Sequence, residues 1–181
     1  MRGFRVADVF DVAQTDGDNV QPPARPQLLE GEAPAGLWDS LARQVAAAGF
    51  TLTPGDIPSA ANGTTNFATG TVTIAADLSA AQATKTLAHE VAHTAMHNGT
   101  EYATGCRGQA EIEAESVAYI VCQVAGLTTA TYSFGYVAHW AGGDPNAIRQ
   151  TADRVIATAR AILTAAGLAE PLASQGVEVA A

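Results

Sequence analysis

The chain has 181 residues, 48% of them hydrophobic and 15% charged, and a formal net charge of −9 at pH 7. A composition of that kind forms a core instead of staying disordered, and the length suits one domain. Nine Lys and Arg against 18 Asp and Glu argue against a broad nucleic-acid-binding face, because phosphate contacts need clustered cations.

Taken in chain order, Phe4, Val6, Phe10 and Val12 share parity and predict a strand over 4–12. No basic stretch leads into an apolar core, so no signal peptide is expected, and no apolar run reaches the roughly 18 residues of a membrane span. Residues 13–36, with Gln21-Pro22-Pro23-Ala24-Arg25-Pro26, read as an extended connection. Leu37, Leu41, Val45 and Ala48 recur at helical spacing and Gly49 supplies a stop, which predicts a helix over 37–48. Short strands are expected at Phe50–Thr53 and Thr71–Ala75, with turn signals at Asn62-Gly63 and Thr69-Gly70. Together 50–76 would form a small antiparallel sheet, with 71–75 either the edge strand beside a cleft, free to pair with an extended peptide, or an ordinary covered strand.

The next segment carries the chemistry. Ser79-Ala80-Ala81-Gln82 reads as a capping box, and Leu87, Val91 and Ala95 form an apolar stripe on the helix it opens. Within it lies His89-Glu90-Val91-Ala92-His93, an H-E-x-x-H motif. Histidines four apart sit about 40° apart around a helix and one turn along it, so both imidazoles can reach one ion. Two neutral imidazoles plus a carboxylate suit zinc, Zn2+, with a fourth position kept for water. Glu90 stands where it could take a proton from that water.

Asn98-Gly99 ends this helix, and after a loop Gln109 to about Gly126 reads as a second one. Glu111 and Glu115 share a face there, while Glu113 points elsewhere. Glu111 would complete a His-His-Glu site, and Glu115 could accept the free N–H of a ligand histidine; the two glutamates could also exchange roles. Cys106 and Cys122 form no C-x-x-C pair and no disulfide framework, which points to a reducing cytosol, and Cys106 as a thiolate ligand is the weaker alternative. Thr128–Gly143 is a mixed segment holding Tyr132, Tyr136, His139 and Trp140. Tyr132, Tyr136 and His139 are candidates for stabilising an oxyanion, with core packing the competing reading. Arg107 is expected to pair with Glu111 or Glu115, with a substrate carboxylate as the alternative, and His97 to be a helix-end residue. Asp144-Pro145 then caps a third helix whose stripe is Ile148, Ala152, Val155, Ala159 and Ile162.

The sequence His89-Glu90-Val91-Ala92-His93, followed by Glu111-x-x-Ala114-Glu115-x-x-Ala118, resembles the gluzincin-type metallopeptidases. It is most similar to the ImmA/IrrE family and to the C-terminal metallopeptidase domain of ArdC-like antirestriction proteins. The resemblance extends more weakly to Phe4–Gly17 and Tyr132–Val137. It departs at Glu115, where relatives often carry Asn or Asp. It implies an α+β, zincin-like domain, with a small antiparallel sheet packed on an active-site helix and further helices. It also implies Glu111 as third zinc ligand and an endopeptidase acting on a protein partner such as a repressor in a bacterial cytoplasm. A single domain over 1–181 is expected: a strand plus extended arm (1–36), the sheet and metal-binding helices (37–126), a C-terminal helical part (127–168) and a tail (169–181). ArdC-like proteins often carry an upstream single-stranded-DNA-binding domain, and nothing of that size is present in this sequence; no membrane contact and no direct nucleic-acid binding by this acidic chain are expected. The alternative is a zinc-containing but non-proteolytic antirestriction or binding protein, which the acidic charge would suit.

Overall fold

The structure, a computed structural model, describes residues 14, 16, 17, 27–57, 61–98, 107–142 and 144–170. The strand expected at 4–12, Cys106, the Arg107 side chain and most of the tail lie outside them. The described elements are α1 (Leu37–Ala47), β1 (Thr51–Gly55), β2 (Gly63–Asn66), β3 (Thr71–Ala75), α2 (Ala80–Met96), α3 (Arg107–Val124), α4 (Ala130–Trp140), α5 (Pro145–Arg149) and α6 (Ala152–Ala165). The class is α+β.

Helix α1 buries Leu37, Leu41 and Val45, each one turn beyond the last. Removing three such side chains from water stabilises the fold by roughly 1.5–3 kcal/mol apiece. Gly49, at φ +83°, ends the helix in the left-handed region, and the Phe50 amide closes on the Val45 carbonyl. That turn fixes the sheet. It delivers the Thr51 amide to the Gly70 carbonyl at 2.8 Å, so β1 starts at the same end as β3 and runs parallel to it.

The strand order is β1-β3-β2, with β2 antiparallel to β3. The sheet is therefore mixed and not the antiparallel sheet that the sequence suggested, and Asn62-Gly63 opens a strand where a turn was expected. Nor is 71–75 the edge strand: β3 is central, paired on both sides, with Val72 and Ile74 buried. The edge beside the cleft is β2. Its hairpin to β3 closes through Asn66, whose Oδ1 accepts from the Ala68 and Thr69 amides. Pro54, which has no amide to donate, fits β1 because β1 is the other edge.

Helix α2 is the axis of the fold, with nearly every side chain from Ala81 to His93 buried. It packs against α3, α1, α6 and the β2–β3 face of the sheet. Ser79 caps it as expected, accepting from the Gln82 amide at 3.1 Å. The other half of the capping box is absent. The Gln82 side chain instead accepts from the Leu29 amide and donates to Thr86. Helix α3, Arg107–Val124, is closed off by Gly126, φ +87°, beyond which the Leu127 amide reaches the Cys122 carbonyl. Cys122 is buried among apolar side chains, which pushes its thiol up to about 12 and leaves it inert.

The mixed segment expected at 128–143 is largely a helix, α4. Its aromatic, Thr and Gly135 content hides helical periodicity, and its position is held by tertiary bonds from Ser133 to Glu115 and from Tyr136 to Glu111. The third helix expected from Asp144 is two helices. Asp144 caps α5 with Pro145 in its first turn, but the chain breaks at Gln150-Thr151 before α6. Val155, Ala159 and Ile162 are buried as expected, together with Leu163, whereas Ile148 is 38% exposed and Ala152 is exposed. No helix among the described residues is long and apolar enough to cross a membrane.

Strand β2 crosses α2 so closely that Gly63 admits no side chain. A Cβ there would stand 2.6 Å from Thr86 Cγ2 and 2.7 Å from Glu90 Oε1. Gly63→Ala is expected to destabilise the fold by about 1–3 kcal/mol, through overpacking of this crossing. Urea unfolding checks it, and an unchanged midpoint would contradict the crossing as described.

Candidate metal centre

One turn apart on α2, His89 and His93 are 8% and 4% exposed, and their Nε2 atoms lie 3.1 Å apart. From α3, Glu111 brings Oε2 to 3.4 Å from His89 Nε2 and 3.9 Å from His93 Nε2. One donor atom from each of the three lies within 4.8 Å of the others. An ion bonded tetrahedrally at about 2.0–2.2 Å sets its ligand atoms roughly 3.3–3.6 Å apart, so this triangle is of the right size for one. Two imidazoles and a carboxylate are also the right chemistry for zinc, while accepting other divalent ions. The group could hold a metal ion.

A histidine is fixed as a ligand by what its second nitrogen does. His89 turns Nδ1 to Glu115 Oε2 at 3.0 Å, the role expected for Glu115. Glu115 has no exposed surface, and its two oxygens are used fully. Oε2 also accepts from Lys85 Nζ at 2.6 Å, and Oε1 accepts from the Ser133 hydroxyl at 2.6 Å. Burial alone would raise its pKa, but the Lys85 ammonium and His89 outweigh that and hold the carboxyl down at about 2. His89 shows the mirror effect. Burial alone would lower its pKa, but hydrogen bonds to Glu111 and Glu115 and the charges of Glu115 and Glu90 lift it to about 9. A ligand imidazole must be neutral, so metal binding there would release whatever proton His89 Nε2 carries.

Glu90 is 4% exposed and leans towards β2, where the Thr65 hydroxyl donates to its Oε2 at 2.7 Å. Its pKa is raised, first by burial and also by the charge of Glu111, with His89, Thr65 and Lys85 opposing. Beyond it opens a cleft of about 340 Å³, lined by Glu90, the donor triangle, Gly63–Thr65, Lys85, Tyr132 and Tyr136. The Tyr136 hydroxyl donates to Glu111 Oε2 at 2.9 Å, and Tyr132 lays its ring over Lys85 Nζ at 4.0 Å. His139 does not line the cleft. It is exposed and stands edge-on to Trp140, so of the three oxyanion candidates only Tyr132 and Tyr136 line the cleft.

Lys85, Ser133 and Thr65 escaped the sequence reading. Lys85 sits one turn before His89 on the same helix, and that spacing was a usable signal. Ser133 and Thr65 reach the site only through the packing of α4 and the register of β2, which no local pattern carries.

Lys85 provides a test of this electrostatic frame. Because Glu115 is held below its ordinary 4.5, its contribution to stability is complete above that pH and is lost as the pH falls towards 2. Lys85→Met leaves Glu115 buried without its cation, at an expected cost of about 3–5 kcal/mol. The acid-unfolding midpoint should also move to higher pH. Circular dichroism across an acid titration reads both, and a variant unfolding at the wild-type pH would contradict the pairing.

Compared with known proteins, the chain matches no family model, no curated protein and no solved structure.

Proposed function

We propose that this chain is a zinc-dependent endopeptidase that hydrolyses peptide bonds in an intracellular protein partner. The observation that carries the reading is Glu90: a buried carboxylate in the same cleft as the donor triangle, adjacent in sequence to one of its members. A buried carboxylate costs free energy that a purely structural metal site has no reason to bear. A divalent ion held by His89, His93 and Glu111 supplies Lewis-acid chemistry, polarising a carbonyl and acidifying water. Glu90 takes a proton from water in the cleft and returns it to the departing amine, a role suited to a carboxyl whose pKa is raised. Thr65 holds Glu90 towards the cleft from β2. Burial and the nearby carboxylates raise the pKa values of Tyr132 and Tyr136, keeping both protonated as donors for an oxyanion. Strand β2 lines the cleft and is an edge of the three-stranded sheet, so an extended peptide could add to it through main-chain hydrogen bonds.

The net charge of −9 favours a second reading, a metal-containing protein that acts by binding, as an acidic antirestriction factor would. Glu90→Gln separates the two. Metal and fold should be retained, while cleavage of a peptide library falls by about 10²–10⁴-fold. Undiminished cleavage in the variant would overturn the role of Glu90, and a metal-loaded wild type that cleaves nothing would favour the binding reading.

A further inference from the structure

His89 is oriented directly by a carboxylate, whereas His93 is held through an intermediary. His93 Nδ1 lies 2.9 Å from His97 Nδ1, and His97 Nε2 lies 2.9 Å from Glu113 Oε2. Both His97 and Glu113 have almost fully buried side chains, at 5% and 1% exposure. The other Glu113 oxygen accepts from Arg154 Nη1 at 3.0 Å and Gln109 Nε2 at 3.3 Å. Arg154 Nη2 donates to the Met96 carbonyl at the end of α2, at 3.1 Å. His97 is therefore more than the helix-end residue the sequence suggested, and Glu113, facing away from the donor triangle, is still connected to it.

We infer that His97, Glu113 and Arg154 form a positioning arm that fixes the tautomer of His93 and so sets part of the metal affinity of the site from helix α6; the inference rests on the metal reading above. The chemistry of the chain of contacts supplies the reason. An ionised carboxylate only accepts, so the hydrogen between His97 and Glu113 belongs to His97 Nε2. A neutral His97 then has a bare Nδ1, which accepts from His93 Nδ1–H. That leaves His93 Nε2 bare, and Nε2 is the atom that faces His89 and Glu111. The arm selects the tautomer a metal ligand needs and holds the ring in place. Arg154 ties its outer end to both α3 and the end of α2.

The test measures zinc affinity of the full chain by competition with a chromogenic chelator, and the visible spectrum of the cobalt-loaded protein. His97→Ala and Glu113→Ala should each weaken zinc binding by roughly 10–100-fold and alter the cobalt spectrum. His97→Asn, whose Oδ1 can accept where Nδ1 did, should recover most of both. Arg154 is half exposed, so Arg154→Ala should fold and bind several-fold more weakly. If His97→Ala does not fold, His97→Asn against His97→Leu and the Arg154 variant decide in its place. Wild-type affinity and spectrum in the alanine variants, or no better binding in His97→Asn, would overturn the inference and leave the metal reading intact. A wild type that takes up no zinc would overturn both.

Discussion

The constraint on which the rest depends is the burial of charge between α2 and α3. Lys85, His89, Glu90 and His93 on one helix face Glu111, Glu113 and Glu115 on the other, all of them at 8% exposure or less. Isolated ions in such a place would cost many kcal/mol, so each must be paired, bonded or bound to a metal. The surrounding elements meet that demand. Helix α4 contributes Ser133 and Tyr136, strand β2 contributes Thr65, and α6 contributes Arg154. The polar interior is arranged in layers: a donor triangle at the cleft, with Glu115 and Lys85 behind one histidine and His97 and Glu113 behind the other.

This arrangement goes with a small-sided α2. Ala81, Ala88 and Ala92 are fully buried on α2, the helix that packs against α1, α3 and the sheet. It also explains Gly63, where the backbone of an edge strand passes directly over Glu90. Closeness of the strand to the carboxylate brings Thr65 within hydrogen-bonding reach. The same closeness places the β2 edge of the sheet beside the proposed reactive centre.

What was legible in the sequence was whatever has a local period. The His89/His93 pair, the Glu111/Glu115 pair, the stripe of α1 and the caps at Ser79 and Asp144 are all read from spacings of one to four residues, and the structure has them. The strand directions were not legible, because parallel pairing of β1 with β3 follows from where the Gly49 turn points the chain. Helix α4 was missed because its Tyr, Phe and Gly content conceals a helix held in place by α3. His97 was underread for a related reason. Its place in the sequence suggested a helix-end residue, but its contact is with Glu113, whose position against it is set by the packing of α3 on α2.

The measurement that tests the central claim most directly is metal content of the purified protein, wild type beside Glu111→Ala and Glu115→Ala. The account predicts one equivalent of zinc in the wild type, lost with Glu111→Ala and largely kept, though held more weakly, with Glu115→Ala. No metal in the wild type even after zinc is supplied, or loss with Glu115→Ala alone, would contradict it.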